Sequence, residues 1–393
     1  MASSDLTESG SARMSETGVA ARPDYAPKIP ASLDPVAGFE QGVWVKGDWH
    51  LHCCHSTDST NNSVGKIIGF AERHGFDYLV ITDHDVHVQG DVANHTWADP
   101  EYTSEKLLLF YGGELTAARG HINILSAEPY DHQRVFDARD ARDWNLLALK
   151  KELGIHMSAN HPSTKNHYGY SFDLADSVEI WNGSTWPKNI PGVRIWDDML
   201  LSGRMLGARG GSDAHHGVPD RPELTTPNTP EATANYVGTP TTWIFARERT
   251  KDAILEALVQ GRATVSANPF NPRVELYADL DGDGRMDMMM GDNAKPTGAA
   301  ITFEVRLVGG GIKGAVYRVK VVKNRQDFVT LLTDPETQTV RFSDTPSPDG
   351  RSYYRVEVEG PQSTYPEVPN SMALSQNMIG LSNPIYFNYD PEF

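Results

Sequence analysis

Lys46-Gly-Asp-Trp-His-Leu-His-Cys-Cys-His-Ser-Thr-Asp58 is the stretch on which this chain turns. Val43, Val45 and Trp49 mark the run before it as a buried strand. Residues two apart on a strand project to one side, so His50 and His52 point together. The chain then turns through Ser56-Thr57-Asp58, which can return a carboxylate to the same opening. That nitrogen and oxygen mixture suits borderline or hard divalent ions. The competing reading of HxH alone is a histidine-rich surface loop.

The pattern recurs. Apolar, strand-like runs meet metal-binding residue types in Tyr78-Leu-Val-Ile-Thr-Asp-His84, Leu107-Leu-Leu-Phe-Tyr-Gly-Gly-Glu114, Gly120-His121-Ile-Asn-Ile-Leu, Ile155-His-Met-Ser-Ala-Asn-His161 and Met205-Leu-Gly-Ala-Arg-Gly-Gly-Ser-Asp213-Ala-His215. In a sheet closed into a barrel by helices, strand ends converge on one face, where such residues form a site.

Between these runs the sequence predicts a helix capped by Ser63 and ended at Gly75, a polar loop from 85 to 100, a short helix over 101–106, and further helices over 144–153, 193–201 and 251–260. Alternating strands and helices to about residue 265 argue for an α/β domain with a largely parallel sheet. From Pro272 helical periodicity stops, and short β-like runs separated by Gly, Pro, Asp and Asn suggest an antiparallel β-sandwich. The expected divisions are a disordered leader over 1–40, an α/β domain over 41–268 and a β-rich domain over 269–393.

The 393 residues suffice for such a core. Residues 1–40 have no apolar stretch of the kind that spans a membrane or opens a signal peptide. A soluble protein is expected, cytoplasmic or, if a signal has been removed, periplasmic. A net charge of −17, from 35 basic and 52 acidic residues, argues against unaided binding to nucleic acid or to an anionic membrane. The two cysteines, Cys53 and Cys54, are adjacent and form no ordinary loop-closing disulfide. Asp279, Asp281, Asp283 and Asp287, with Gly284 between them, resemble the start of a calcium loop, but Met290 stands where the bidentate Glu belongs. The turn is either a weak calcium site or an acidic turn whose charges are solvated.

The ordered set HxH, TDH, GGE, GH, NHP and GSDAH, over about residues 43–216, resembles the polymerase and histidinol phosphatase (PHP) superfamily of metal-dependent hydrolases. The β-rich tail and its Ser382-Asn-Pro-Ile-Tyr386 look like the carbaryl-hydrolase (CehA/McbA) branch. The resemblance implies a distorted seven-stranded (β/α) barrel with two or three divalent ions (Mn, Zn or Fe) at its strand ends. His50, His52, Glu114 and Asp213 match ligands of a first ion. Glu114 bridges to a second with His121 and His161, and Asp58, His84 and His215 match a third.

Such ions would generate hydroxide from bound water at neutral pH and polarise a substrate oxygen. No GxSxG elbow is present, and Gly207-Ala-Arg-Gly-Gly211 lacks the lysine of a phosphate loop, so serine-hydrolase and nucleotide-loop readings fall away. His216 and Arg119 are the candidates for proton delivery and catalysis, with Lys165, His167, Asn182 and Arg221 for substrate contact and His55 in either role. Glu179 either orients a ligand histidine or faces outward. The expected activity is hydrolysis of small organic phosphoesters, diesters ahead of monoesters. The alternative is a carbamate or aryl ester hydrolase, with Trp97, Trp181, Trp186 and Trp196 either walling an apolar pocket or packing in the core. A surface-binding role for the tail rests on fold analogy alone, and no oligomeric state can be read.

Overall fold

The computed structural model describes residues 27–36, 39, 41–59, 61–163, 168–216, 218, 235–368 and 377–393. The first part of the chain contributes strands β1 (Val43–Asp48), β2 (Tyr78–Val80), β3 (Leu108–Ala117), β4 (Gly120–Ser126), β5 (His156–Ala159), β6 (Ser177–Asn182), β7 (Gly207–Gly211), β8 (Thr241–Ala246) and β9 (Ala263–Ser266). Its helices are α1 (Val64–Arg73), α2 (His132–Ala138), α3 (Asp143–Leu153), α4 (Ile190–Ser202) and α5 (Lys251–Gln260).

Local sequence accounts for the helix ends. Ser63 accepts from the Lys66 N–H at the start of α1, and Thr250 does the same for Ala253 in α5. Gly75, Gly154, Gly203 and Gly261 follow the helices at positive φ, a conformation that costs glycine nothing. Helix α1 buries Val64, Ile67, Ile68, Phe70 and Ala71, and each of the larger side chains contributes about 1.5–3 kcal/mol by leaving water. No helix forms over 101–106. There Asp99 and Ser104 accept the N–H groups of Glu101, Lys106 and Leu107, which gives the backbone turn partners in place of helical ones.

The sheet is less parallel than expected. Strands β1–β2–β3 and β5–β6–β7 pair in parallel, but β4 runs antiparallel to both β3 and β5. The beginning of β4 therefore lies beside the end of β3, with His121 opposite Thr116. Beyond β1 and β7 the chain forms a parallel bridge between Leu51 and Ala214, with His52 N donating to Ala214 O at 3.0 Å and Asp213 N to His50 O at 2.7 Å. On its other edge β1 pairs antiparallel with β8, and β8 with β9.

The remaining strands are β10 (Arg273–Asp279), β11 (Met288–Met289), β12 (Asn293–Ala294), β13 (Ile301–Val308), β14 (Arg318–Lys323), β15 (Gln326–Leu332), β16 (Thr339–Asp344), β17 (Ser352–Glu359), β18 (Met378–Ser382) and β19 (Ile385–Phe387). Four of them form an antiparallel sheet in the order β11-β10-β13-β16. The others extend the first sheet, because β18 pairs with β9. One apolar core joins the two sheets, with Phe303 and Val305 from β13 packed against Val319, Val356 and Phe387. The tail thus shares a continuous sheet with the α/β part.

A buried ion pair adds a second connection. Arg355 on β17 donates to both carboxylate oxygens of Asp197 on α4, at 2.9 and 2.8 Å, and Tyr353 OH donates to the same carboxylate at 2.7 Å. Among the described residues no helix is long and apolar enough to cross a membrane.

Candidate metal centre

His50, His52, His161 and Asp213, just past the ends of β1, β5 and β7, converge with Glu114 from within β3 and His121 from the start of β4, and His84, His215 and Asp58 stand beside them. Two ligands of one tetrahedral ion, each ~2.1 Å from it, lie about 3.4 Å apart. His50 Nε2 is 3.4 Å from Glu114 Oε1 and 3.4 Å from Asp213 Oδ1. His52 Nε2 is 3.1 Å from Asp213 Oδ1. His161 Nε2 and His121 Nδ1 approach Glu114 Oε1 at 3.4 and 3.1 Å. His215 Nε2 and His84 Nε2 face Asp58 Oδ2 at 3.4 and 3.6 Å. The ligand atoms of His52, His84 and His215 also lie within 4.8 Å of one another, as do those of His50, His52 and Asp213 and of His84, Glu114 and His121.

The donor set fits divalent cations on two further observations. His50 Nε2 and Glu114 Oε2 are buried without a hydrogen-bond partner, a costly state for polar atoms unless something binds them. His84 Nδ1 lies 2.7 Å from Glu114 Oε2 but is also 2.8 Å from Thr116 Oγ1, with which it hydrogen-bonds. The pocket also concentrates negative charge. Burial opposes a charged His50, yet Glu179, Asp213 and Glu114 together raise its pKa well above the usual histidine value. Burial likewise opposes ionisation of Glu114 and Asp213, but the surrounding histidines, His50 foremost, hold both carboxyls well below their ordinary range.

Backbone strain accompanies two of these positions. His161 and Asp213 sit at φ 29° and 50°, in the left-handed region, at a cost of order 1–3 kcal/mol each. Hydrogen bonds hold them there: His161 N donates to Glu179 Oε2 at 3.0 Å, and Asp213 N to His50 O at 2.7 Å.

Behind these side chains stands a buried polar frame. Glu179 faces inward and accepts at Oε1 from His50 Nδ1 and from Arg209 Nη1, each at 3.0 Å. Burial pushes its carboxyl up, but His50 and Arg209 outweigh this and bring it down to about 2. Arg209, fully buried, also donates to Ser158 Oγ at 2.7 Å and Asn160 Oδ1 at 2.6 Å, and Asn160 Nδ2 donates to Glu114 Oε1 at 2.8 Å. One guanidinium therefore orients both the partner of His50 and the central Glu114. Asp48 ties three segments together by accepting from the N–H groups of His50, Ser212 and Gly238. Gly211 is required by space, since a Cβ there would stand 2.4 Å from Glu179 Oε1 and 2.4 Å from His50 Cβ.

The remaining candidates are placed as follows. Asn182 donates to Asp213 Oδ2 at 3.2 Å and to Glu179 Oε2 at 3.3 Å. His216, exposed, pairs with Asn61 Oδ1 at 3.0 Å. Arg119 stacks on Tyr170 and donates to Ala141 O, Gly169 O and Asp143, which ties its guanidinium into the protein's own structure. His55 pairs with Asp99 at 2.8 Å. Lys165, His167 and Arg221 lie outside the described residues. Cys53 donates to Asp83 Oδ2 at 2.8 Å, and burial, with that carboxylate, pushes its thiol far up, which disfavours a thiolate ligand. In the acidic turn Asp279, Asp281, Asp283 and Asp287 each accept a backbone N–H from within the loop.

Sequence reasoning missed Arg209, Asn160, Lys188 and His87. Arg209 carried a signal, a charge inside a Gly-rich strand, which burial obliges to be paired. His87 reaches the centre from a short turn after His84, its Nδ1 3.7 Å from Asp58 Oδ1. Trp181 and Trp196 are core residues, while Trp97 donates to Gly112 O and Trp186 packs on Trp181.

No family model and no curated protein matches the chain. Among solved structures it is similar to a two-domain protein from Bacteroides vulgatus ATCC 8482, described as containing a predicted PHP-like metal-dependent phosphoesterase. The two are 17% identical with a TM-score of 0.44, over 88% of this chain and 96% of that chain.

Proposed function

We propose that the chain is a metal-dependent hydrolase of small phosphate esters, diesters ahead of monoesters, and that β1–β7 form a distorted seven-stranded barrel closed by the Leu51–Ala214 bridge. The activity rests on one observation above all: both oxygens of Glu114 are approached by histidines from different strands and loops, His50, His121 and His161 at Oε1 and His84 and His52 at Oε2. A carboxylate so placed would serve two adjacent cation sites. When bound, divalent cations supply Lewis acidity towards phosphoryl oxygens and lower the pKa of a coordinated water.

The protein's own residues do the rest. His50, His52, Asp213 and Glu114 would hold one ion, Glu114, His121 and His161 a second, and Asp58, His84 and His215 a third. Glu179 fixes the His50 ring by accepting from Nδ1, which leaves Nε2 as the ligand atom. Asn182 holds Asp213 Oδ2 and thereby keeps Oδ1 turned towards His50 and His52. His216, on the exposed rim, is the proposed proton donor to the leaving group. A dense cationic centre suits the charge spread over a phosphoryl group better than a carbamate carbonyl, which needs a single polarising ion.

The test is turnover by protein loaded with manganese, zinc or iron. Bis-p-nitrophenyl phosphate should exceed p-nitrophenyl phosphate and p-nitrophenyl acetate in kcat/KM. Rapid hydrolysis of 1-naphthyl N-methylcarbamate, with phosphodiesters untouched under every metal, would replace the proposal by the carbamate reading.

A further inference from the structure

A cavity of ≈ 470 Å³ opens beside the centre, lined by His161, Asn182 and Lys188, with Pro162, Pro187 and Pro191 as rigid walls. Its charge is unusual for a chain of net charge −17. The carboxylate in its lining, Glu179, is fully committed to His50, Arg209, the His161 N–H and Asn182. Lys188 is exposed, and among the described residues its ammonium donates to Asn182 Oδ1 at 3.1 Å and is paired with no carboxylate.

Asn182 in turn donates to Asp213 Oδ2. A short relay thus runs from the ammonium to a side chain of the centre, which places Lys188 one residue's reach away from the ligands. The lysine is held from both sides by a rigid segment. Asn189 accepts from Asn182 N at 2.8 Å and donates to Asn182 O and Thr185 O, and Gly192 packs so closely on Pro162 that a Cβ there would meet Pro162 O at 2.9 Å.

We infer that this cavity is the pocket for the non-scissile arm of the substrate, and that Lys188 selects an arm ending in an anionic group such as a carboxylate. The inference rests on the phosphoester reading and narrows it: the substrate is a phosphodiester with a second negative charge. An ammonium gives a charge-assisted hydrogen bond, and at so exposed a lysine its loss costs roughly twofold to fivefold in affinity. Lys188→Arg keeps the charge and should keep much of the preference.

Two measurements test this on the metal-loaded full chain. The first compares methyl p-nitrophenyl phosphate with carboxymethyl p-nitrophenyl phosphate. Wild type should favour the second through a lower KM, Lys188→Met should erase that preference, and Lys188→Arg should restore it. The second is calorimetric titration with phosphonoacetate and with methylphosphonate, which needs no turnover. Tighter binding of phosphonoacetate, lost in Lys188→Met at unchanged metal content, supports the inference even if neither diester is cleaved, in which case the phosphodiesterase reading alone falls. Equal binding of the two phosphonates by wild type, or a preference that survives in Lys188→Met, overturns it.

Discussion

His50 Nδ1 faces Glu179 Oε1 at 3.0 Å inside a fully buried frame, so the opposite nitrogen, Nε2, is the one turned to Glu114 and Asp213. Removing the charge of Glu179 should loosen that orientation without emptying the frame. Glu179→Gln is expected to weaken metal binding 10- to 100-fold. Competition against a calibrated zinc chelator measures this, and an unchanged affinity would refute the orienting role.

His50→Ala and Asp213→Ala remove two of the proposed ligands. Each should abolish turnover and lower the metal content found by elemental analysis, while far-ultraviolet circular dichroism stays native. Wild type should carry at least two ions per chain after reconstitution, and fewer than one would contradict the proposed centre. Ion at a hundred times its Kd stabilises the native state by about 2.7 kcal/mol, so the metal-dependent rise in Tm should shrink in both variants.

Gly211→Ala tests the packing behind the ligands. A methyl group there collides with both Glu179 and His50, so His50 must move. Metal affinity should fall at least as far as in Glu179→Gln, although no ligand or charge has changed.

Asp197→Ala separates fold from site. It takes from Arg355, whose guanidinium is buried, both bonds to the carboxylate and leaves it Glu357 at 2.7 Å, so the loss should stay below the ~3–5 kcal/mol of a buried charge left wholly unpaired. Urea unfolding should show that loss, whereas metal content at low denaturant should match wild type.

His156 gives a pH dependence of known sign. Burial lowers its pKa from 6.5 to about 4, so the folded state holds the neutral ring, which pairs with Ser177 Oγ at 2.8 Å. Its contribution is complete above the unfolded pKa and is lost as pH falls from 6.5 towards 4. The loss reaches about 3 kcal/mol at the acid end. His156→Gln should flatten the fall in unfolding free energy between about pH 6.5 and about pH 4 relative to wild type. An identical slope in both proteins would exclude His156 as its source.

Much of the centre was legible in the sequence because its residues lie at the ends of short apolar runs, where a strand's period of two and the helix caps are local properties. The period of two carries past the end of β1 to His50 and His52, where the Leu51–Ala214 bridge keeps the chain extended, and Ser63 and Gly75 bound α1 through contacts within a few residues. The reversed direction of β4 was not legible, since Gly120–Ser126 reads the same either way and only its pairing with β3 and β5 decides it. Nor were the partners of Glu179, Arg209, Asn182 and Lys188. Strand alternation allows Glu179 to face either in or out. Its place was fixed by the Arg209 guanidinium 30 residues away in sequence and by His50, 129 residues away. A buried charge is stable only when its counter-charge arrives with it. The sequence by itself determined which groups could bind a metal, and the tertiary structure decided which of their atoms face one another, because burial and pairing are properties of segments brought together by folding.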